Sequence, residues 1–296
     1  RVAAQGRSVS AGSCGQGIPL MSTSIIESPW FFIWLVGLFA VWVPLSCIFH
    51  RISYFTEKPY AAAHQVVVMV PFVFLAGFGT WMWFFDESFA SAFQDDRVYG
   101  YYEPAIALVK VMLAFQMWDF CATLVMTLEV KDQIQHLIHH ASSTALCLLG
   151  LLSGEHGFLM YYGAFFFGVT EVSSIPLGII DLFKYSEALK SAFPKLEVIV
   201  KATFAPLFLL IRCVYWPIVS VTFWIALMKS SAPLWLCVIW WIANLGLTLL
   251  QYYWGFRVVK NVLKQLRGAV NFRAREAHAV EVKAKMLPLN TALAKD

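Results

Sequence analysis

Seven stretches of about twenty apolar residues, joined by short connections, leave this chain few ways to fold. They run from Pro29 to Phe49, Val66 to Phe85, Pro104 to Thr127, Ile134 to Leu152, Phe158 to Ile180, Ala202 to Leu227 and Leu234 to Trp254. A hydrocarbon core about 30 Å thick is crossed by roughly 20 helical residues, so each run is long enough to span a membrane. Only 14% of the residues are charged, against about 25% in soluble domains, and no polar stretch is long enough for a separate globular unit. The prediction is all-α: a seven-transmembrane-helix bundle in a multi-pass integral membrane protein.

Charge predicts the orientation. Connections after the first, third and fifth runs carry Arg51, Lys58, Lys131, Lys184, Lys190, Lys195 and Lys201, whereas the others hold only Arg97 and Lys229. Lys and Arg collect on the cytosolic side, which places the N-terminus outside or in a lumen and the C-terminus in the cytosol. Residues 1–28, rich in Ser, Gly and Gln, read as a disordered leader with Met21 as the expected start; 29–256 read as the membrane domain and 257–296 as a basic cytosolic tail. Cys14 lies in that leader and the other five cysteines lie inside runs, so no disulfide framework is indicated.

Two connections, Arg51 to Gln65 and Asp181 to Lys201, mix apolar and charged residues as amphipathic connectors along a membrane face do. After Trp254, Arg257, Lys260, Lys264 and Arg267 recur at intervals of three and four, opposite Val258, Val262 and Leu263. Next to a span, such a stripe fits anionic lipid headgroups; with a net charge of only +4, no nucleic-acid partner is expected.

The informative residues are the polar ones inside the runs, because an ionisable side chain in lipid costs roughly 2.5–3.5 kcal/mol near a helix centre and needs a partner or a task. The fourth run carries His136, His139 and His140, with Ser143 one turn further on the same face; the third carries Asp119, the fifth Glu171, the sixth Arg212, and the seventh Asn244 and Gln251. At a rise of about 1.5 Å per residue, His139, Asp119, Glu171 and Arg212 fall at one depth, roughly 8 to 15 Å from the cytosolic edge. The expectation is a single pocket in which Glu171 or Asp119 accepts a histidine N–H and leaves the other nitrogen free as a base. Lys110, nearer the opposite edge, is expected to snorkel. A buried network that merely locks the helices is the alternative. The His136, His139, His140 spacing also occurs in membrane di-iron enzymes, but those need about eight histidines in several boxes; this chain has seven, with His50, His64, His156 and His278 each standing alone, so no metal is expected.

Asp119, the His139–His140 pair, "TEVSSIP" from Thr170 to Pro176, "FLLIRCVYWP" with Arg212 and Pro217, and "NLGLTLLQYYWGF" with Asn244, Gln251 and Trp254 together resemble the TLC-domain family, over about Arg51 to Lys260. That family includes ceramide synthases and the translocation-associated TRAM proteins. The chain departs from ceramide synthases after the histidine pair: where they carry two aspartates three residues apart, it reads Glu171 and Ser174. The resemblance implies endoplasmic reticulum residence, membrane-lipid partners and transfer of a fatty acyl group from acyl-CoA to a lipid amine or hydroxyl, with acyl-CoA as substrate and no bound cofactor. His139 or His140 would act as base or nucleophile, and Asp119 and Glu171 would orient them. Arg212, His136, Ser143, Ser174 and Asn244 would contact substrate, and a homo-oligomer is open. The alternative is a non-catalytic lipid-binding or membrane-composition regulator that holds a headgroup in the same pocket. Fatty-acid elongases, also similar in size and in their histidine box, and an ion or proton channel stand behind these two.

Overall fold

The computed structural model describes the backbone of residues 28–127, 134–153 and 157–293, with side chains through 267. The leader with Met21 and Cys14, together with Lys131 and His156, lies outside the described residues, as do the side chains of the tail beyond 267.

The described chain is helical. Helix α1 (Pro29–Phe49) is followed by α2 (Pro59–Phe85), a short α3 (Glu87–Ala92), α4 (Glu103–Met126) and α5 (Ile134–Leu152). Next come α6 (Met160–Phe166), a 3₁₀ segment (Val169–Ser173), α7 (Ser174–Lys184), a short α8 (Glu187–Ala192) and α9 (Pro194–Phe208). A π-helical segment (Leu209–Tyr215), α10 (Trp216–Lys229) and α11 (Leu234–Leu293) complete the order. Proline opens many of these helices: α1, α2, α4 and α9 each carry one in the first two positions, where its fixed φ suits the helix and its missing N–H is not needed.

Among the described residues six helical stretches are long and apolar enough to cross a membrane: Pro29–Phe49, Pro59–Phe85, Glu103–Met126, Met160–Lys184, Pro194–Lys229 and Leu234–Arg267. The fourth predicted run, α5, has the length, but its histidines and hydroxyls keep it below that apolarity. It packs along α4, which also packs against α1, α2 and α6 and is the most enclosed helix of the bundle.

Several predicted outlines change; the sixth run begins at Pro194 rather than Ala202, so residues 194–201 are helical rather than part of a connector. The second run begins at Pro59 rather than Val66, so residues 59–65 are not part of a connector; Ala61, Ala62, Ala63 and His64 are buried in the first two turns of α2. The fifth run is broken. The Thr170 hydroxyl donates to Phe166 O (2.8 Å), diverting a carbonyl of α6 at the point where the α-helix gives way. There α2 crosses at backbone contact, and a Cβ on Gly168 would sit 2.6 Å from Gly79 Cα. A side chain at either glycine would force the two segments apart.

Candidate functional site

Asp119, buried on α4, takes one imidazole on each carboxylate oxygen. His140 Nε2, from α5, donates to Oδ2 at 2.7 Å, and His64 Nε2, from α2, donates to Oδ1. The His64 ring lies flat on Trp118, with centroids 5.1 Å apart and planes 7° from parallel, and the Gln65 amide donates to its Nδ1 (3.3 Å). His140 Nδ1 faces Gln116 Oε1 at 2.7 Å. Both nitrogens of His140 thus face oxygen atoms, one of Asp119 and one of Gln116. One carboxylate ties three helices together.

A second cluster surrounds Arg212. The π-helical segment lies between Pro206 and Pro217; Pro217 has no N–H to return to the preceding turn, and the widened turn carries Arg212 to a buried position. Its Nε donates to Ser173 Oγ (2.8 Å), and its Nη2 donates to Ser174 Oγ (2.8 Å) and Thr170 O (3.1 Å). Nη1 reaches Gln251 Oε1 on α11 (3.5 Å), and Glu171 Oε1 stands 3.7 Å from Nη2. The guanidinium therefore binds the broken segment of the fifth run to the last two spans, and its donor fork is largely committed to protein oxygens.

Between the clusters lies a cavity that is partly open to its surroundings, with about 770 Å³ of empty space when the open part is counted. One end is polar, lined by Gln116, His139, Ser143, Glu171, Arg212 and Gln251, with Asn244 lower down the wall. The other end is apolar and aromatic, with Phe158, Tyr162, Phe166, Trp216, Phe223 and Trp240. His139 Nδ1 and Asn244 Oδ1 are buried without a hydrogen-bond partner. An unpaired polar atom in such surroundings costs free energy that an occupant with a complementary group can recover. The His139 ring stands edge-on to Trp254 (5.6 Å) and to His140 (5.4 Å).

The sequence-derived residues therefore divide. His139, Ser143, Glu171, Arg212 and Asn244 line one cavity. Asp119 and His140 form a network behind its wall, joined to it through Gln116. Ser174 holds Arg212 and is not part of the lining, and His136 is exposed, its ring 6.1 Å from that of His140. Glu171 pairs with Arg212 rather than orienting an imidazole: the 3₁₀ turn carries its Oε1 to 3.7 Å from Arg212 Nη2. His64, read from sequence as standing alone, is the second partner of Asp119. Pro59 was the available signal: taken as a helix start, it places His64 inside α2 instead of in a connector. Among the described residues no three His, Cys, Asp or Glu side chains are grouped as a metal site.

A family model, the TLC domain, matches residues 61–260. No curated protein matches the chain as a relative. The matched region runs from the first turn of α2 into α11 and takes in His64, Asp119, His139, His140, Glu171, Arg212 and Gln251. This chain belongs to the TLC-domain family.

Proposed function

We propose that this protein handles an acyl lipid within the bilayer and transfers its acyl group, with His139 as the working imidazole. The observation that carries the reading is a cavity, polar at one end and aromatic at the other, with an unpartnered His139 Nδ1 in the polar end. A fatty acyl chain fits the apolar part, and its carbonyl reaches the polar end. The acceptor's amine or hydroxyl attacks that carbonyl, the bond to the leaving thiol breaks, and His139 carries the proton from the acceptor to the departing sulfur. Acyl-CoA as donor and the endoplasmic reticulum as location follow from the family resemblance. In the same reading α5 makes a seventh crossing, with the polar end of the cavity on the cytosolic side, as the distribution of Lys and Arg predicts.

A second reading, a non-catalytic lipid carrier or regulator, draws on a specific feature. Asp119 is paired with His64 and His140, leaving His139 with no carboxylate to orient it. The two readings part in one experiment: mass spectrometry of the gently purified protein, with lipid turnover measured for His139→Ala. Loss of turnover in a variant that stays folded, with acylated acceptor released by the wild type, supports transfer. An intact lipid retained equally by both, with no turnover in either, supports holding.

A further inference from the structure

Phe158, Gly150 and Trp240 line the apolar end of the cavity and form its floor, joined by backbone hydrogen bonds and ring packing. Phe158 N–H donates to Gly150 O (2.7 Å) and Leu159 N–H to Val98 O (2.8 Å), while Phe158 packs against Trp240 (6.2 Å) and Trp240 against Phe223 (6.3 Å). Gly150 leaves no slack there: a Cβ on it would meet Met160 Cε and Phe158 O at 3.3 Å and Trp240 Cζ2 at 3.6 Å. Depth from the polar end can be measured along two helices independently. Three helical turns separate His139 from Gly150 on α5, and three separate Gln251 from Trp240 on α11, each about 16 Å of axial rise. The two walls reach the floor at the same level.

We infer that Trp240 and Phe158 set the length of the acyl chain that this protein accepts, by ending the cavity about 16 Å from His139. The inference rests on the acyl-lipid reading above and adds the ligand class. An extended saturated chain advances about 1.3 Å per carbon, from bonds of about 1.5 Å in a zigzag, so the depth takes a single chain of about 12 to 14 carbons. A longer chain must fold back or leave its end outside, forfeiting the burial of each excess methylene. Leu146, buried on the cavity wall about two turns below His139, sets the bore part of the way down.

The test is thermal stabilisation of the purified full chain by a series of saturated fatty acids from about eight to about twenty carbons, since a ligand that binds only the folded state raises its melting temperature. Wild type is expected to peak at about 12 to 14 carbons. Trp240→Leu, which lowers the floor, should move the optimum up by about two carbons, and Leu146→Phe, which narrows the bore, should move it down by about two. The Leu146→Phe arm decides the matter if Trp240→Leu does not fold. Stabilisation that rises steadily with chain length in wild type and in the variants overturns the length limit while leaving lipid binding intact. Absence of stabilisation by every member overturns the acyl-lipid reading itself, and the length limit with it.

Discussion

Removing the Asp119 carboxylate tests the packing of the bundle most directly, because two imidazoles from two other helices depend on it. Asp119→Ala strands the Nε2–H of His140, 2.7 Å from Oδ2 in the wild type, and the Nε2–H of His64, both largely buried. A buried donor left without a partner costs about 1–3 kcal/mol in soluble proteins. Inside a bilayer the measured worth of such interhelical bonds is lower, about 0.6–1.7 kcal/mol, because the unfolded helices also find partners. With two such donors stranded, a destabilisation of about 1–3 kcal/mol is expected. Asp119→Asn keeps the shape and one acceptor oxygen, and should cost about half as much. Both are measured by unfolding in mixed micelles with increasing SDS, and a double-mutant cycle between Asp119→Ala and His64→Ala should return a coupling of about 1 kcal/mol or more. The reasoning is refuted if Asp119→Ala unfolds within about 0.5 kcal/mol of wild type, or if the two substitutions simply add.

Arg212→Lys should lower the melting temperature markedly despite keeping the charge, at a cost of about 2–4 kcal/mol, since one ammonium cannot reach Ser173, Ser174, Thr170 O and Gln251 together; a wild-type melting curve would contradict this. Gly168→Ala should destabilise by about 1–3 kcal/mol through collision with Gly79, and an unaffected variant would mean that the two segments separate freely. The Tyr102 hydroxyl, at the start of α4, donates to Asp86 Oδ2 (2.6 Å), and this bond pushes its pKa up from 10.0 to about 12. Its stabilising share is therefore complete below about pH 10 and lost as the pH rises through about 12. Ultraviolet titration against Tyr102→Phe checks it, and a phenol ionising at its ordinary value would refute the bond.

The spans were legible because apolar length is a local property: each run needs about 20 residues whatever its neighbours do. Intramembrane charge was equally legible, since a buried ionisable group in lipid asks for a partner on energetic grounds alone, and His139, Glu171 and Arg212 do meet at one cavity. The identity of the partners was not. Asp119 and Glu171 look alike as lone carboxylates in apolar runs, yet one receives two imidazoles and the other faces a guanidinium. His64 was hidden by its surroundings, because Lys58, Tyr60 and three alanines read as a connector until Pro59 is taken as a helix start.

Apolar length and the cost of polar groups in lipid, both readable residue by residue, were sufficient for a helical membrane bundle with a polar centre. Which side chains face one another depends on helix rotation and on where the helices break, and those follow from contacts between distant segments: Gly79 against Gly168, and the π turn that buries Arg212. The cavity floor is likewise a meeting of Gly150, Phe158 and Trp240 from separate parts of the chain. Nothing in the local sequence of any one of them encodes that encounter, because side-chain packing is a property of neighbouring surfaces rather than of a single segment.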